Sequence, residues 1–184
     1  MSHANSTIPF PMSRLDVLDE SETFEHMFDL APVSLWLADY SDLKDLFGRW
    51  RLAGIVDLRA FFLEEPARVS QCVKRIRVVK VNHRTLSLYG ATTVDHLVAN
   101  LSRVFRRDMF EQRVAELVGL WNGDQHFSSA AISHSLSGRP IDIVLHATVL
   151  PGHEKTWRRV LLAVEDVSQK TQPQYGAVES SCCA

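Results

Sequence analysis

Two groups of side chains in this sequence have the right types to grip a small molecule. The first is His153, Glu154, Trp157 and Arg159, which sets a titratable ring, a carboxylate, an indole and a guanidinium along one short segment. Such a cluster suits either of two roles. It can hold a polar ligand group and close a pocket against neighbouring helices, or it can form a capped turn around a packed tryptophan. The second group is Trp36 with Asp39, an aromatic face beside a carboxylate, which fits a cationic or aromatic small molecule. A tryptophan on a sheet equally suits the core or a dimer interface. Catalytic machinery is not visible: the chain has no nucleophile elbow, no P-loop and no zincin pattern. Glu64-Glu65 stand just before Pro66 and read as a helix start, not as an acid/base pair. The reading is of a binding protein and not an enzyme.

The composition limits what scaffold holds these residues. A chain of 184 residues that is 46% hydrophobic can bury one proper core. With 20 Lys+Arg against 22 Asp+Glu, the net charge of -2 gives no electrostatic drive toward nucleic acid. The best local basic stretch, Arg103 to Arg107, reads as a solvated helix-loop face. Cys72, Cys182 and Cys183 form neither a disulfide framework nor a zinc spacing, and Ser181 stands where a prenylation signal requires cysteine. Met1 to Met12 lacks a basic segment followed by an apolar run, and no apolar stretch approaches the roughly 18 residues of a membrane span. A cytoplasmic location is expected, with no membrane partner.

Residues 1–18 are polar and broken by proline, so they read as a flexible lead-in; 19–170 read as one domain and 171–184 as a flexible tail holding Cys182 and Cys183. Asp19 with Glu22 resembles a capping box for a helix carrying Phe24, Met27, Phe28 and Leu30. Val33 to Tyr40 reads as a strand with Val33, Leu35 and Leu37 on one face. Three helices follow: one capped by Ser41 and ended by Gly54, one begun by Asp57, and one opened by Pro66 with Val69, Cys72, Val73 and Ile76 on its apolar line. Arg77 to Val81 is a strand, Asn82 caps a helix closed at Gly90, and Thr92-Thr93 opens another. Residues 100–108 fit neither period. Phe110, Val114, Leu117, Val118 and Trp121 then form a helical stripe ended by Gly123.

From Gln125 onward the sequence reads as strand: Gln125 to Leu136, Ile141 to Leu150 and Trp157 to Val167. A two-residue turn at Ser137-Gly138 sets Ile132 opposite Ile143, Ala130 opposite Leu145 and Ser128 opposite Ala147, a small or apolar face. It also sets His134 opposite Ile141 and His146 opposite Ser129, so the histidines do not pair for a metal. The fold class is α+β, with helices on one face of an antiparallel sheet.

Several pieces, in order, resemble a PAS domain. Phe24 to Asp39 is similar to its lead-in and first strand. Val79-Lys80-Val81-Asn82-His83-Arg84-Thr85-Leu86-Ser87-Leu88-Tyr89-Gly90-Ala91 is similar to its second strand, asparagine cap and helix. Val160 to Ser168, with Glu165-Asp166-Val167-Ser168, is similar to its closing strand and "D-I-T" signature. The resemblance implies a five-stranded antiparallel sheet with short helices between the second and third strands; the three-helix stretch at about 41–76 departs from it as an insertion between the first two strands. That insertion and the segment Leu150 to Val160 are similar to bacterial sensors found ahead of kinase or diguanylate cyclase modules.

The implied function is a sensory and signalling domain. It binds a small organic molecule, a protein partner or both, and relays the signal through the segment after Asp166 to a separate output such as a histidine kinase or diguanylate cyclase. The tail is too short for an output domain, so the chain is a stand-alone sensor or a fragment. The expected pocket lies between the sheet and the short helices, lined by residues such as Leu35, Leu37, Leu86, Leu97, Phe110, Val114, Ile132, Leu145, Leu162 and Val164. The alternative is a ligand-free module that dimerises through residues 19–30 and the outer sheet face, regulating a kinase, cyclase or transcription factor. A homodimer is expected in either case. Haem is disfavoured because the long helix, Asp108 to Asn122, offers no axial histidine. LOV-type flavin chemistry is disfavoured because Asn82-His83-Arg84-Thr85-Leu86-Ser87 stands where "N-C-R-F-L-Q" would supply a cysteine.

Overall fold

Along Pro140–Val149 the apolar residues fall on every second position: Ile141, Ile143, Leu145, Ala147 and Val149 are all buried, while His146 between them is exposed. A period of two can bury one face of an extended chain. This segment is β4; the other strands are β1 (Ser34–Asp39), β2 (Arg77–Val81), β3 (His126–His134) and β5 (Val160–Asp166). They form one five-stranded sheet in the order β2-β1-β5-β4-β3, antiparallel throughout, with β2 and β3 at its edges. The computed structural model describes residues 20–106 and 109–168. The expected flexible segments 1–18 and 171–184, the cap at Asp19, and Cys182 and Cys183 lie outside the described residues.

The helices are α1 (Glu20–Leu30), α2 (Ser41–Leu52), α3 (Leu58–Glu64), α4 (Ala67–Val73), α5 (His83–Tyr89), α6 (Val94–Ala99), α7 (Leu101–Val104) and α8 (Phe110–Asn122). Their ends follow local chemistry. Asp57, Asn82 and Thr93 each accept a backbone N–H from three residues on, satisfying a donor that the first helical turn leaves unpaired. Gly90 and Gly123 close α5 and α8 at φ of 70° and 101°, where a side chain would be strained. The start of α2 differs from expectation. Ser41 is its first residue and not its cap; Tyr40 holds the cap position without a side-chain bond, and Asp39 before it accepts from Ser41 N–H at 2.9 Å and from its hydroxyl at 2.7 Å. The stretch 100–108 that fitted neither period contains the single turn α7.

The β3–β4 hairpin corrects the expected register by one residue. Ile132 opposes Asp142, Ala131 opposes Ile143 and Ser129 opposes Leu145; His134 opposes Pro140 and His146 opposes Ser128. The loop has three residues, Leu136-Ser137-Gly138, closed by Ser135 N–H to Arg139 O at 2.9 Å and by Gly138 N–H to Ser135 O at 2.9 Å. Gly138, at φ 91°, supplies the left-handed residue that such a loop needs. Leu136 is buried and donates to Tyr89 O at 2.8 Å, which anchors the loop tip to the end of α5. A slip of one residue exchanges the two faces of a strand. Phe127, Ser129, Ala131 and Ser133 therefore turn inward, and Ile132, expected on the inner face, is 50% exposed on the outer one.

The core divides into two clusters. The first joins α2, α3, α4 and α8 to the lower sheet through Phe47, Phe62, Leu120, Trp157 and Val160. The second joins α5, α6 and α7 to the other end of the sheet through Trp36, Tyr89, Leu97, Ile143 and Val164. The three helices between β1 and β2 are thus built into the main core.

Candidate functional site

At the seam between the two clusters the packing opens into a cavity of about 740 Å³. Its floor is the sheet: Trp36 and Ala38 from β1, Leu145 from β4, Leu162 and Val164 from β5. One wall is α4, with Val69, Ser70, Val73 and Lys74. The other runs from Leu101 and Ser102 of α7 through Phe105, Arg106 and Met109 to Phe110 and Arg113 of α8. The floor residues Trp36, Ala38, Leu145 and Val164 are buried, whereas Ser70, Val73, Lys74, Ser102 and Arg106 are exposed, so the mouth lies between α4 and the α7–α8 connection. The size and the apolar floor are those of a small-molecule pocket.

Trp36 is fixed by its indole N–H, which donates to Ser34 Oγ at 3.1 Å, and by edge contact with Tyr89 at 5.7 Å between ring centroids. Arg113 donates to Glu116 at 2.8 Å and lies 4.9 Å from the Phe105 ring centroid. Glu116 is buried and also accepts from Ser129 at 2.7 Å. Burial pushes the Tyr40 phenol up, with Arg113 opposing and Glu116 adding to the shift, so the hydroxyl is neutral at the cavity wall.

Of the residues singled out in the sequence, Trp36, Phe110 and Leu145 line this cavity, as do Leu162 and Val164. Ile132 does not, because of the register. Leu35 and Leu37 alternate with the cavity-facing Trp36 and Ala38, while Leu97 and Val114 are fully buried inside the two clusters. Leu86 packs against the second cluster. Missed altogether were Tyr40, the rim of α4, and the cations Lys74, Arg106 and Arg113. Lys74 and Arg113 stand next to apolar helical lines, whereas Tyr40 closes a strand and Arg106 lies in the stretch that fits neither period.

Asp39 is engaged elsewhere. Besides its two bonds from Ser41 it receives Arg77 at 2.7 Å. Burial alone would push its carboxyl up; the two bonds from Ser41 and the Arg77 guanidinium outweigh this and hold it below the usual value. A depressed carboxylate stabilises the fold above the pKa of an unfolded aspartate, about 3.9, and loses that contribution as pH falls through the folded value. Asp39→Asn is expected to lower stability by about 1–2 kcal/mol at neutral pH. In urea titrations the gap to the native chain narrows from about pH 5 down to pH 2. A gap independent of pH would show that the charge contributes nothing.

The loop holding His153, Glu154, Trp157 and Arg159 lies off the cavity and ties α2 to the sheet. Trp157 is buried at φ 54°, its carbonyl accepts from Tyr40 N–H at 2.8 Å, and its ring meets Phe47 at 6.0 Å. Lys44 lies 4.3 Å from the same ring centroid and donates to Glu154 O at 2.9 Å. His153 O accepts from Trp157 N–H at 2.7 Å, and Arg159 O accepts from Leu150 N–H at 2.9 Å. Lys155, Thr156 and Arg158 of this loop border a separate, open groove along α2.

No family model matches the sequence, and no curated protein does. Solved structures do match. A LOV protein of Rhodobacter sphaeroides superposes with a TM-score of 0.54 at 15% identity, over 83% of this chain and 70% of its own. The PAS domain of a Colwellia psychrerythraea protein superposes with a TM-score of 0.53 at 10% identity, over 82% of this chain and 99% of its own.

The fold is that of a PAS domain.

The chain fastens its closing segment to the neighbouring strand: Val167 N–H donates to Asp142 O at 2.8 Å, and Asp142 N–H donates to Ser168 Oγ at 3.1 Å. Asp166 in turn accepts from Ser168 N–H at 3.0 Å. Among the described residues no helix is long and apolar enough to cross a membrane, and no group of three or more His, Cys, Asp or Glu is placed to hold a metal.

Proposed function

We propose that this is a sensory PAS module that admits a small organic ligand to the cavity between the sheet and α4, and passes the resulting change to a separate cytoplasmic signalling protein. The observation that carries this reading is the cavity itself. A cleft of about 740 Å³, open at its mouth and apolar at its floor, has the size and lining of small-molecule sites. Its floor includes Leu162 and Val164 on β5, so a ligand resting on the floor touches the strand that runs into the fastened segment at Asp166. Among the described residues, no histidine and no cysteine lines the cavity. Cys72 is buried in α4 with its thiol pushed up to about 12 by burial. These residues favour a reversibly bound organic ligand over a histidine-ligated haem or a cysteinyl flavin.

The test uses gently purified protein in native mass spectrometry, with melting followed across a metabolite panel. The expected result is a non-covalent adduct, or a ligand that raises the melting temperature. Val73→Trp, a change at the exposed rim, should weaken that binding by about tenfold or more while leaving the unliganded melting temperature unchanged. No adduct and no shift across the panel would sink the reading.

A second reading rests on α1. Phe24, Met27 and Leu30 are 47%, 65% and 82% exposed, an apolar line on one side of a helix whose Phe28 is buried. We propose that this line pairs two copies of the domain. Sedimentation of the native chain should show a dimer that Met27→Glu dissociates, and a monomer at high concentration would exclude it.

A further inference from the structure

The cavity wall has a charge asymmetry that goes beyond its size. Among the described residues that line it, three are cations, Lys74 at the end of α4, Arg106 after α7 and Arg113 on α8, and none is a carboxylate. Arg113 is locally compensated by Glu116, which stands behind the wall. Lys74 and Arg106 have no carboxylate partner among the described residues; Arg106 donates from Nε to the carbonyl of Arg103 at 3.4 Å, and its guanidinium end lies near Gly138 of the β3–β4 loop. Arg113 spends one donor on Glu116, and a guanidinium carries five. Seryl hydroxyls from Ser70 and Ser102 stand in the same lining.

Opposite these groups the floor is apolar and partly aromatic. A ligand satisfying both sides has an apolar body and one anionic head. A neutral apolar molecule would leave the cations without a counter-charge, and a cationic amphiphile would be repelled. We propose that the cavity selects small amphipathic carboxylates, with the body on Trp36, Leu145 and Val164 and the carboxylate among Lys74, Arg106 and Arg113. This rests on the ligand-binding reading above and names the chemical class.

The experiment titrates the full chain with decanoate, 1-decanol and decyltrimethylammonium, which share a chain length and differ in charge. Binding is read by calorimetry and by tryptophan fluorescence. Decanoate is expected to bind about tenfold or more tighter than decanol, with the cation weakest. The preference should shrink with added salt, because two of the three cations are exposed. The double variant Lys74→Gln, Arg106→Gln alters exposed side chains only and should bring decanoate to the affinity of decanol. Equal binding of decanoate and decanol to the native chain would overturn the charge selection while leaving the cavity as a binding site. A preference that survives in the double variant would overturn the assignment to these two residues. If no probe binds and Val73→Trp changes nothing, the failure belongs to the cavity reading itself.

Discussion

Asn82→Ala is expected to destabilise the domain by about 3–5 kcal/mol, because one fully buried side chain holds three elements together. The Asn82 Oδ1 accepts from Leu35 N–H at 3.0 Å, Thr85 N–H at 3.0 Å and Thr85 Oγ1 at 2.9 Å. The Nδ2 donates to Phe28 O at 3.1 Å and Val33 O at 2.9 Å. The amide therefore caps α5, fixes the start of β1 and receives the end of α1. Alanine removes all of these at once and leaves buried backbone groups that water cannot reach, the costly outcome for a hydrogen bond. An ordinary exposed cap would cost about 1 kcal/mol. Urea unfolding separates the two cases. A loss near the lower figure would mean that water replaces the amide at the α1–β1 connection. Hydrogen exchange should show α1 amides losing protection first.

Phe47→Ala is expected to cost about 3–5 kcal/mol and to do so in a single transition. Phe47 is fully buried, with ring centroids of Trp121, Trp50 and Trp157 at 5.3, 5.9 and 6.0 Å. Those rings belong to α8, α2 and the β4–β5 loop, so the phenylalanine is the point at which the helices between β1 and β2 meet the rest of the core. Removing it leaves a cavity too aromatic and rigid to collapse readily. The four tryptophans divide between the clusters, Trp36 in the second and the other three in or against the first. With fluorotryptophan labels, all four resonances should lose native intensity at one urea concentration. If Trp36 outlasts the others, the first cluster is a separately melting unit.

The elements were largely legible in the sequence because most of them are written in local terms. Asp57, Asn82, Gly90 and Gly123 mark helix ends by their own backbone and side-chain chemistry, and β4 has one buried face, so its alternation is plain. The misreadings come where local contrast vanishes. In β1 both faces are covered, with Trp36 at 4% and Leu37 at 7% exposure, so a period of two cannot say which face meets the helices. In β3 the inner positions hold Ser129, Ala131 and Ser133 and an outer one holds Ile132, a pattern that contradicts the burial it adopts. The register there is set by Gly138 and by the bond from Leu136 to Tyr89, a contact between segments far apart in sequence.

The candidate site was half legible for the same reason. Apolar residues that pack and apolar residues that line a void look alike in a sequence, and only the tertiary arrangement separates Phe110 from Val114. Asn82 shows the limit from the other side. Its capping role is local and was read, while its bonds to Phe28 and Val33 depend on β1 pairing with β2.

The position of β3 has a consequence for how the molecule behaves in a crowd. It is the last strand in the order, and its residues, His126-Phe127-Ser128-Ser129-Ala130-Ala131-Ile132-Ser133-His134, include no lysine, arginine, acid or proline. Edge strands that stay soluble usually carry such residues, because an open row of N–H and C=O groups is a template for another strand. Among the described residues no strand covers this edge. Shelf life and expression yield will therefore depend on concentration, and a single lysine at the outward Ala130 or Ile132 is the economical way to make the protein better behaved without touching its interior.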